Sequence, residues 1–223
     1  MLIQEKVRQA VSLLREFGAD CWITFTRESE INGDPTLVYL APGPVTWHSA
    51  FIVSVEGLSR AIVGLYDQKG IEETGAYDKV VGYVTGIKEP LLEYVREINP
   101  KTVAVNYSKG SEICDGLTHG MYLTLHDLLG EIGFARRLVS AEKIVSALRE
   151  RKSAAEISAM KAAVQATLEI YDAVAVFISP GKTEKGIADF MAAEVERRKL
   201  ALAWGSETFP AYRKSTRRHS SHN

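Results

Sequence analysis

The sequence predicts an α/β domain with a mixed sheet and covering helices, followed by a stretch of nearly continuous helix. Three observations carry this expectation. Segments rich in β-branched and aromatic residues alternate with segments whose apolar residues recur every three or four positions, the pattern of strands interleaved with amphipathic helices. Two strand-like segments are joined by Glu56-Gly57, a turn pair that makes a hairpin and so an antiparallel part of the sheet. From Ser140 onward the strand-like runs give way to helical spacing.

Taken in order, Ile3, Val7, Val11, Leu14 and Phe17 form one face of an opening helix, and Gly18 follows as the residue that ends it. "CWITFT" from Cys21, "TLVYLA" from Thr36 and "SAFIVSV" from Ser49 read as strands, and "LSRAIVG" closes the hairpin. A helix near residues 68–74, a strand "KVVGYV", a helix over residues 88–98, a strand "TVAVNY" and a helix carrying His119 and His126 complete a first domain over residues 1–138. A second segment covers residues 140–211. In it Ser153 and Glu156 have capping-box spacing, and Ile157, Met160, Val164, Leu168, Tyr171, Val174 and Ile178 form an apolar stripe that Pro180-Gly181 ends. Thr183 caps a further helix with Ile187, Phe190, Met191 and Val195 on its apolar face, and "ETFPA" reads as an arriving strand.

Composition narrows the function classes. The 223 residues are 46% hydrophobic and 25% charged with net charge −1, an ordinary soluble balance. The last twelve residues, 212–223, form a basic tail expected to be disordered; without its four Lys and Arg the body has 23 cations against 28 anions. An acidic body argues against a nucleic-acid surface, which needs a basic stripe. No apolar run reaches the length of a membrane span, and "MLIQEKVRQAVSLLREFG" carries charges where a signal peptide needs an apolar stretch, so a cytoplasmic protein is expected. Cys21 and Cys114 make neither a disulfide framework nor a metal knuckle.

Arg149, Arg151, Lys152, Ser153, Glu156, Ile157, Met160, Lys161 and Ala162 resemble the segment that opens the catalytic domain of Xaa-Pro peptidases of the creatinase, prolidase and aminopeptidase P group. "SPGKTEKGIADFM" is similar to that family's turn and second helix, "SETFPA" to the lead-in of its first catalytic strand, and the preceding residues to its N-terminal domain. The resemblance implies an RNase H-like creatinase N-terminal domain followed by the first two helices of an incomplete pita-bread domain. It also implies, for a full-length relative, hydrolysis of Xaa-Pro peptides or related small amides by two divalent metals, manganese, cobalt or zinc, that activate a bridging hydroxide. The five ligands of that family lie beyond its "FP" segment, and the pattern is lost here after Ala211, so the chain reads as truncated or frameshifted, with a natural tail as the alternative. No metal, cofactor or catalytic residue is expected within it. The partners implied are another copy of the chain and, for the full-length form, a small peptide or amide, without nucleic acid or membrane.

Loops of the N-terminal domain reach a partner's active site in that family, and "LAPGPVTWHS" is a loop of this kind, which makes Trp47 and His48 candidate substrate-gating residues. The alternative is that Trp47 packs on its own sheet and His48 is merely exposed. His219 and His222 stand three apart but lack a third ligand, and His119 and His126 fall on one side of a helix, so neither pair reads as a site. Two functions follow: a hydrolase active in full-length form, and a non-catalytic dimerisation and substrate-gating module.

Overall fold

The computed structural model describes residues 2–202, and these fall into two compact units that divide between Glu156 and Ile157. The first unit is built on a six-stranded mixed sheet. Its chain begins with α1 (Leu2–Phe17), β1 (Cys21–Thr26) and a single turn, α2 (Ser29–Asn32); β2 (Ser49–Ser54) and β3 (Ser59–Gly64) follow, then α3 (Leu65–Glu72) and β4 (Lys79–Tyr83). α4 (Lys88–Ile98), β5 (Val103–Val105), α5 (His119–Gly130), β6 (Leu138–Ser140) and α6 (Glu142–Glu150) complete it. The strand order is β4-β3-β2-β1-β5-β6, antiparallel from β1 through β3 and parallel at β3–β4, β1–β5 and β5–β6. The hairpin at Glu56-Gly57 forms as the sequence predicts.

Helices cover both faces, so the central strands are buried at every position rather than at alternate ones, Thr24, Thr26, Ser49 and Ser54 included. All six residues of β1 and of β2 are buried. On one face Trp22, Phe51, Val53, Ala61, Val63 and Ala104 meet Val7, Ala10 and Leu14 of α1 and Ile144, Val145 and Leu148 of α6. On the other, Ile23, Phe25, Ile52, Ile62, Val103 and Val105 meet Leu91, Leu92 and Val95 of α4 and Met121, Leu125 and Leu129 of α5. α1 ends as expected at Gly18, whose φ of +70° suits a residue without a Cβ, while Ala19 N–H donates back to Leu14 O at 3.0 Å.

Three local expectations change. "TLVYLA" is not a strand: Leu37–Tyr39 is a short 3₁₀ turn. The cause lies one turn earlier, where the Asp34 carboxylate accepts from Thr36 N–H at 2.8 Å and from the Thr36 hydroxyl at 2.6 Å, a local alternative to strand pairing. Residues 138–140 form a strand that the sequence does not announce, because only three residues pair with β5 and two of them are exposed. Finally α6, which the sequence groups with the C-terminal segment, packs into the core of the first unit through Ile144, Val145, Ala147 and Leu148.

A buried lysine fixes that arrangement. Lys6 of α1 is wholly inaccessible. Its Nζ donates to Leu148 O at 2.6 Å and Arg151 O at 3.1 Å, pairs with the Glu156 carboxylate at 2.6 Å, and lies 5.2 Å from the centre of the Tyr39 ring. A buried ammonium is stable only when so satisfied. Neighbouring side chains of α1 join it: Glu5 accepts from Ala155 N–H, Gln9 donates to Arg151 O, and Glu16 forms a two-point pair with Arg151. The capping box forms, with Ser153 N–H donating to Glu156 at 2.7 Å and Glu156 N–H to Ser153 Oγ at 3.3 Å.

The described residues of the second unit form a pair of helices. α7 (Ala154–Phe177) carries the apolar stripe and α8 (Glu184–Arg197) follows, capped by the Thr183 hydroxyl, which accepts from Gly186 N–H at 3.0 Å. Phe177 and Phe190 stack face to face with ring centres 4.2 Å apart, and Ile170, Val174 and Ala188 are buried. Ile157, Met160, Val164, Leu168, Tyr171 and Ile178 are exposed. The expected strand "ETFPA" and the basic tail lie outside the described residues.

Candidate functional site

The loop from Arg27 to His48 leaves the end of β1, makes the turn at Asp34 and returns to the start of β2. Its path is fixed at both ends. Glu28 N–H donates to Thr46 O at 2.9 Å and Ser29 N–H to Val45 O at 3.0 Å, while Val45 N–H donates to the Ser29 hydroxyl at 2.7 Å. In the middle a buried polar cluster ties it to the sheet: the Asn106 side-chain amide at the end of β5 donates to Asp34 at 2.8 Å and lies 3.0 Å from the Thr24 hydroxyl, and its carbonyl accepts from Trp22 Nε1 at 2.7 Å. Gly116 closes over Asp34, since a Cβ there would lie 2.2 Å from the carboxylate. Burial pushes the Asp34 carboxyl up from its ordinary value, against the hydrogen bonds from Thr36 and Asn106 that pull it down.

This frame places Trp47 and His48 at the rim of an open cleft of about 390 Å³, lined also by Arg27, Glu28, Thr46 and residues 83–86. Trp47 sits on Gly64: a Cβ at Gly64 would meet its ring atoms at 3.0 and 3.2 Å, so the indole needs a glycine beneath it. Tyr83 flanks the indole with ring centres 5.8 Å apart, and Tyr66 meets it edge-on at 6.1 Å. Trp47 remains 37% exposed, so it both packs on its own sheet and presents an aromatic face to solvent. His48 is half-buried, 5.9 Å from the Phe25 ring, and its backbone carbonyl accepts from the Tyr83 hydroxyl at 2.8 Å. Burial first, and the Arg27 charge second, hold its imidazole below the usual value, which favours the neutral ring at physiological pH. The cleft therefore offers aromatic faces, a neutral imidazole and a guanidinium. These are groups for binding; no nucleophile and base are hydrogen-bonded to each other there.

The sequence brings Trp47 and His48 forward but not Gly64, Tyr66 or Tyr83, which come from the end of β3, the start of α3 and the end of β4. The one available signal was a glycine closing a strand pattern, which marks close approach of another group. Elsewhere, the His126 ring is 6.1 Å from Tyr122 and exposed His119 opens α5, while His219 and His222 lie outside the described residues. Cys21 and Cys114 are buried, and burial pushes the Cys21 thiol far up. Among the described residues no group of three His, Cys, Asp or Glu is placed to share an ion. The described residues therefore do not fit the paired metals that the resemblance implies for a full-length relative. No described helix is long and apolar enough to cross a membrane.

No protein-family model matches the sequence, and no curated protein matches it. Solved structures do. An Xaa-Pro dipeptidase from Bacillus anthracis is 18% identical with a TM-score of 0.56, over 88% of this chain and 49% of that one. An X-Pro aminopeptidase from Thermotoga maritima MSB8 gives 18% and 0.56, over 86% and 49%. The dipeptidase PepE from Mycobacterium ulcerans gives 19% and 0.56, over 88% and 49%. The chain spans about half the length of these structures. The α/β fold with its mixed sheet and covering helices thus matches the N-terminal domain of the Xaa-Pro dipeptidases and aminopeptidases.

Proposed function

We propose that this chain belongs with the Xaa-Pro peptidases and supplies the binding and gating half of such a hydrolase, with two-metal hydrolysis of Xaa-Pro peptides or related small amides carried by residues beyond those described. The observation that carries this reading is the fold similarity over nearly nine-tenths of the chain to proteins named for that activity. The opening helices α7 and α8 are read as the start of a pita-bread domain, and manganese, cobalt or zinc as the metals of the complete site. Trp47 and His48 are the residues of this chain that face substrate in that reading: an exposed indole face and a neutral imidazole suit the ring and carbonyl of a prolyl peptide better than a charged group. The protein works in the cytoplasm as a homo-oligomer.

A second reading, a dimerisation and gating module with no catalytic partner domain, is favoured by the same cleft, which carries binding groups alone. The purified 223-residue chain tests both when mixed with manganese and Xaa-Pro dipeptides. The expected result is no turnover and a dipeptide-dependent change in the fluorescence difference between the chain and its Trp47→Phe variant. Manganese-dependent turnover contradicts the division of labour, and an unresponsive Trp47 contradicts the gating role.

A further inference from the structure

The cleft beside Trp47 and His48 carries a charge pair that the fold does not use. Arg27 and Glu28 are consecutive, exposed, and both line it. Among the described residues neither the Arg27 guanidinium nor the Glu28 carboxylate makes a hydrogen bond or an ion pair, whereas Arg60 is tied to Glu97 and Arg151 to Glu16. Glu28 is also held there against its preference. Its φ of 43° and ψ of 47° lie in the left-handed region that a residue with a Cβ rarely adopts, and its side chain makes no capping bond to the turn that follows. The hydrogen bonds to Thr46 O and Val45 O impose this conformation. Backbone strain of this kind collects where a side chain has to face a ligand. The charges of the cleft also balance. His48 is held neutral, so the lining residues present one cation and one anion. Asp67, whose charge reaches Tyr83, lies outside the lining and accepts from Thr46 N–H at 3.2 Å.

We propose that the cleft reads both ends of a free dipeptide: Arg27 holds the C-terminal carboxylate, Glu28 holds the N-terminal ammonium, and the faces of Trp47 and Tyr83 take the ring between them. A guanidinium offers a carboxylate two parallel N–H donors. A dianion such as phosphate would meet the Glu28 charge and a simple cation the Arg27 charge, while a zwitterion satisfies both. The size agrees, since about 390 Å³ is at the small end of ligand sites. An extended dipeptide spans about 7 Å, within the reach of two long side chains on adjacent residues. The assignment rests on the reading of the cleft as the substrate-facing part of an Xaa-Pro hydrolase. It narrows that reading from peptides or small amides in general to dipeptides with both termini free, and makes Arg27 and Glu28 specificity-determining residues.

Three ligands and three variants of the full chain test it. Alanyl-proline, its C-terminal amide and its N-acetyl form are titrated, and binding is read as the fluorescence difference between the chain and its Trp47→Phe variant. The free dipeptide is expected to bind about tenfold more tightly than either blocked form. Arg27→Gln should bring the free dipeptide to the affinity of the amide and keep its preference over the N-acetyl form, and Glu28→Gln should do the reverse. Glu28→Gly separates strain from recognition. Removing the Cβ relieves the left-handed residue and should raise the urea midpoint of the first unit, while the preference for a free N-terminus is lost as in Glu28→Gln. A dipeptide bound without regard to either end, or preferences that survive these substitutions, overturn the assignment and leave the gating reading standing. No response to any of the three ligands overturns both.

Discussion

The two units treat apolar surface in opposite ways. In the first, both faces of the sheet are covered and the largest side chains, Trp22, Phe25, Phe51, Leu13 and Leu14, are fully buried. In the second, α7 buries Ile170 and Val174 yet leaves Met160, Val164, Leu168 and Tyr171 each more than half exposed. Within the described part of the second unit, α7 and α8 bury only Ile170, Val174 and Ala188. A contiguous exposed stripe of this kind marks a surface that something else covers. The difference teaches where the self-sufficient part of this chain stops: at the first turn of α7, held by Lys6 and Glu156, rather than at the last strand.

The largest predicted effect breaks that boundary. Lys6→Met removes a donor from Leu148 O and Arg151 O and takes the cation from the Glu156 carboxylate, and should lower the unfolding free energy of the first unit by on the order of 3 kcal/mol in urea titrations. Next comes Asn106→Ala, which strips a donor from Asp34 and an acceptor from Trp22 Nε1; about 2 kcal/mol is expected, read as a lower urea midpoint. The second unit answers more weakly. Thr183→Ala removes the cap of α8 and should cost about 1 kcal/mol of local helix stability, with faster amide exchange over residues 184–187 and no change in the urea midpoint of the first unit.

Acid separates the half-buried Glu156 and the buried Asp34 by sign. Burial pushes the Glu156 carboxyl up, but the hydrogen bonds from Lys6 and Ser153 outweigh it and hold the group below the usual carboxylate range. Its folded pKa is thus below its unfolded one, so its stabilisation is present above about pH 4.3 and is lost as pH falls through the folded value. Asp34 runs the other way: with its pKa raised by burial, its ionised form weakens the fold at neutral pH, and acidification relieves that. Glu156→Gln should therefore flatten the acid loss of stability, measured as urea midpoint against pH from neutrality downward.

Much of this was legible in the sequence, for physical reasons that particular residues make plain. The opening helix, the hairpin strands, the capping box at Ser153 and the cap at Thr183 are local and follow from periodicity and hydrogen-bonding groups a few residues apart. The turn at Asp34 is hidden behind the β-branched and aromatic run that follows it: the hydrogen bonds from Thr36 that make the turn are local, but the Asn106 amide that holds the buried carboxylate in place is 72 residues away. The attachment of α6 was missed because a lysine in an amphipathic helix reads as solvated, and only the fold reveals that Lys6 points at carbonyls 142 and 145 residues further on. In the cleft, Trp47 and His48 stood out as an aromatic pair after a Pro-Gly-Pro turn. Gly64, Tyr66 and Tyr83 did not, since nothing in the chain order brings β3, α3 and β4 to that loop.

Closure of the first unit at Glu156 is tested most directly by limited proteolysis of the whole chain with mass spectrometry of the surviving fragment. A surviving piece that ends near Glu156, keeps α6 and retains a cooperative urea transition is the expected result. A stable fragment that ends near Leu138, with α6 released first, would contradict it and would mean that the Lys6 cluster contributes little to holding the domain together.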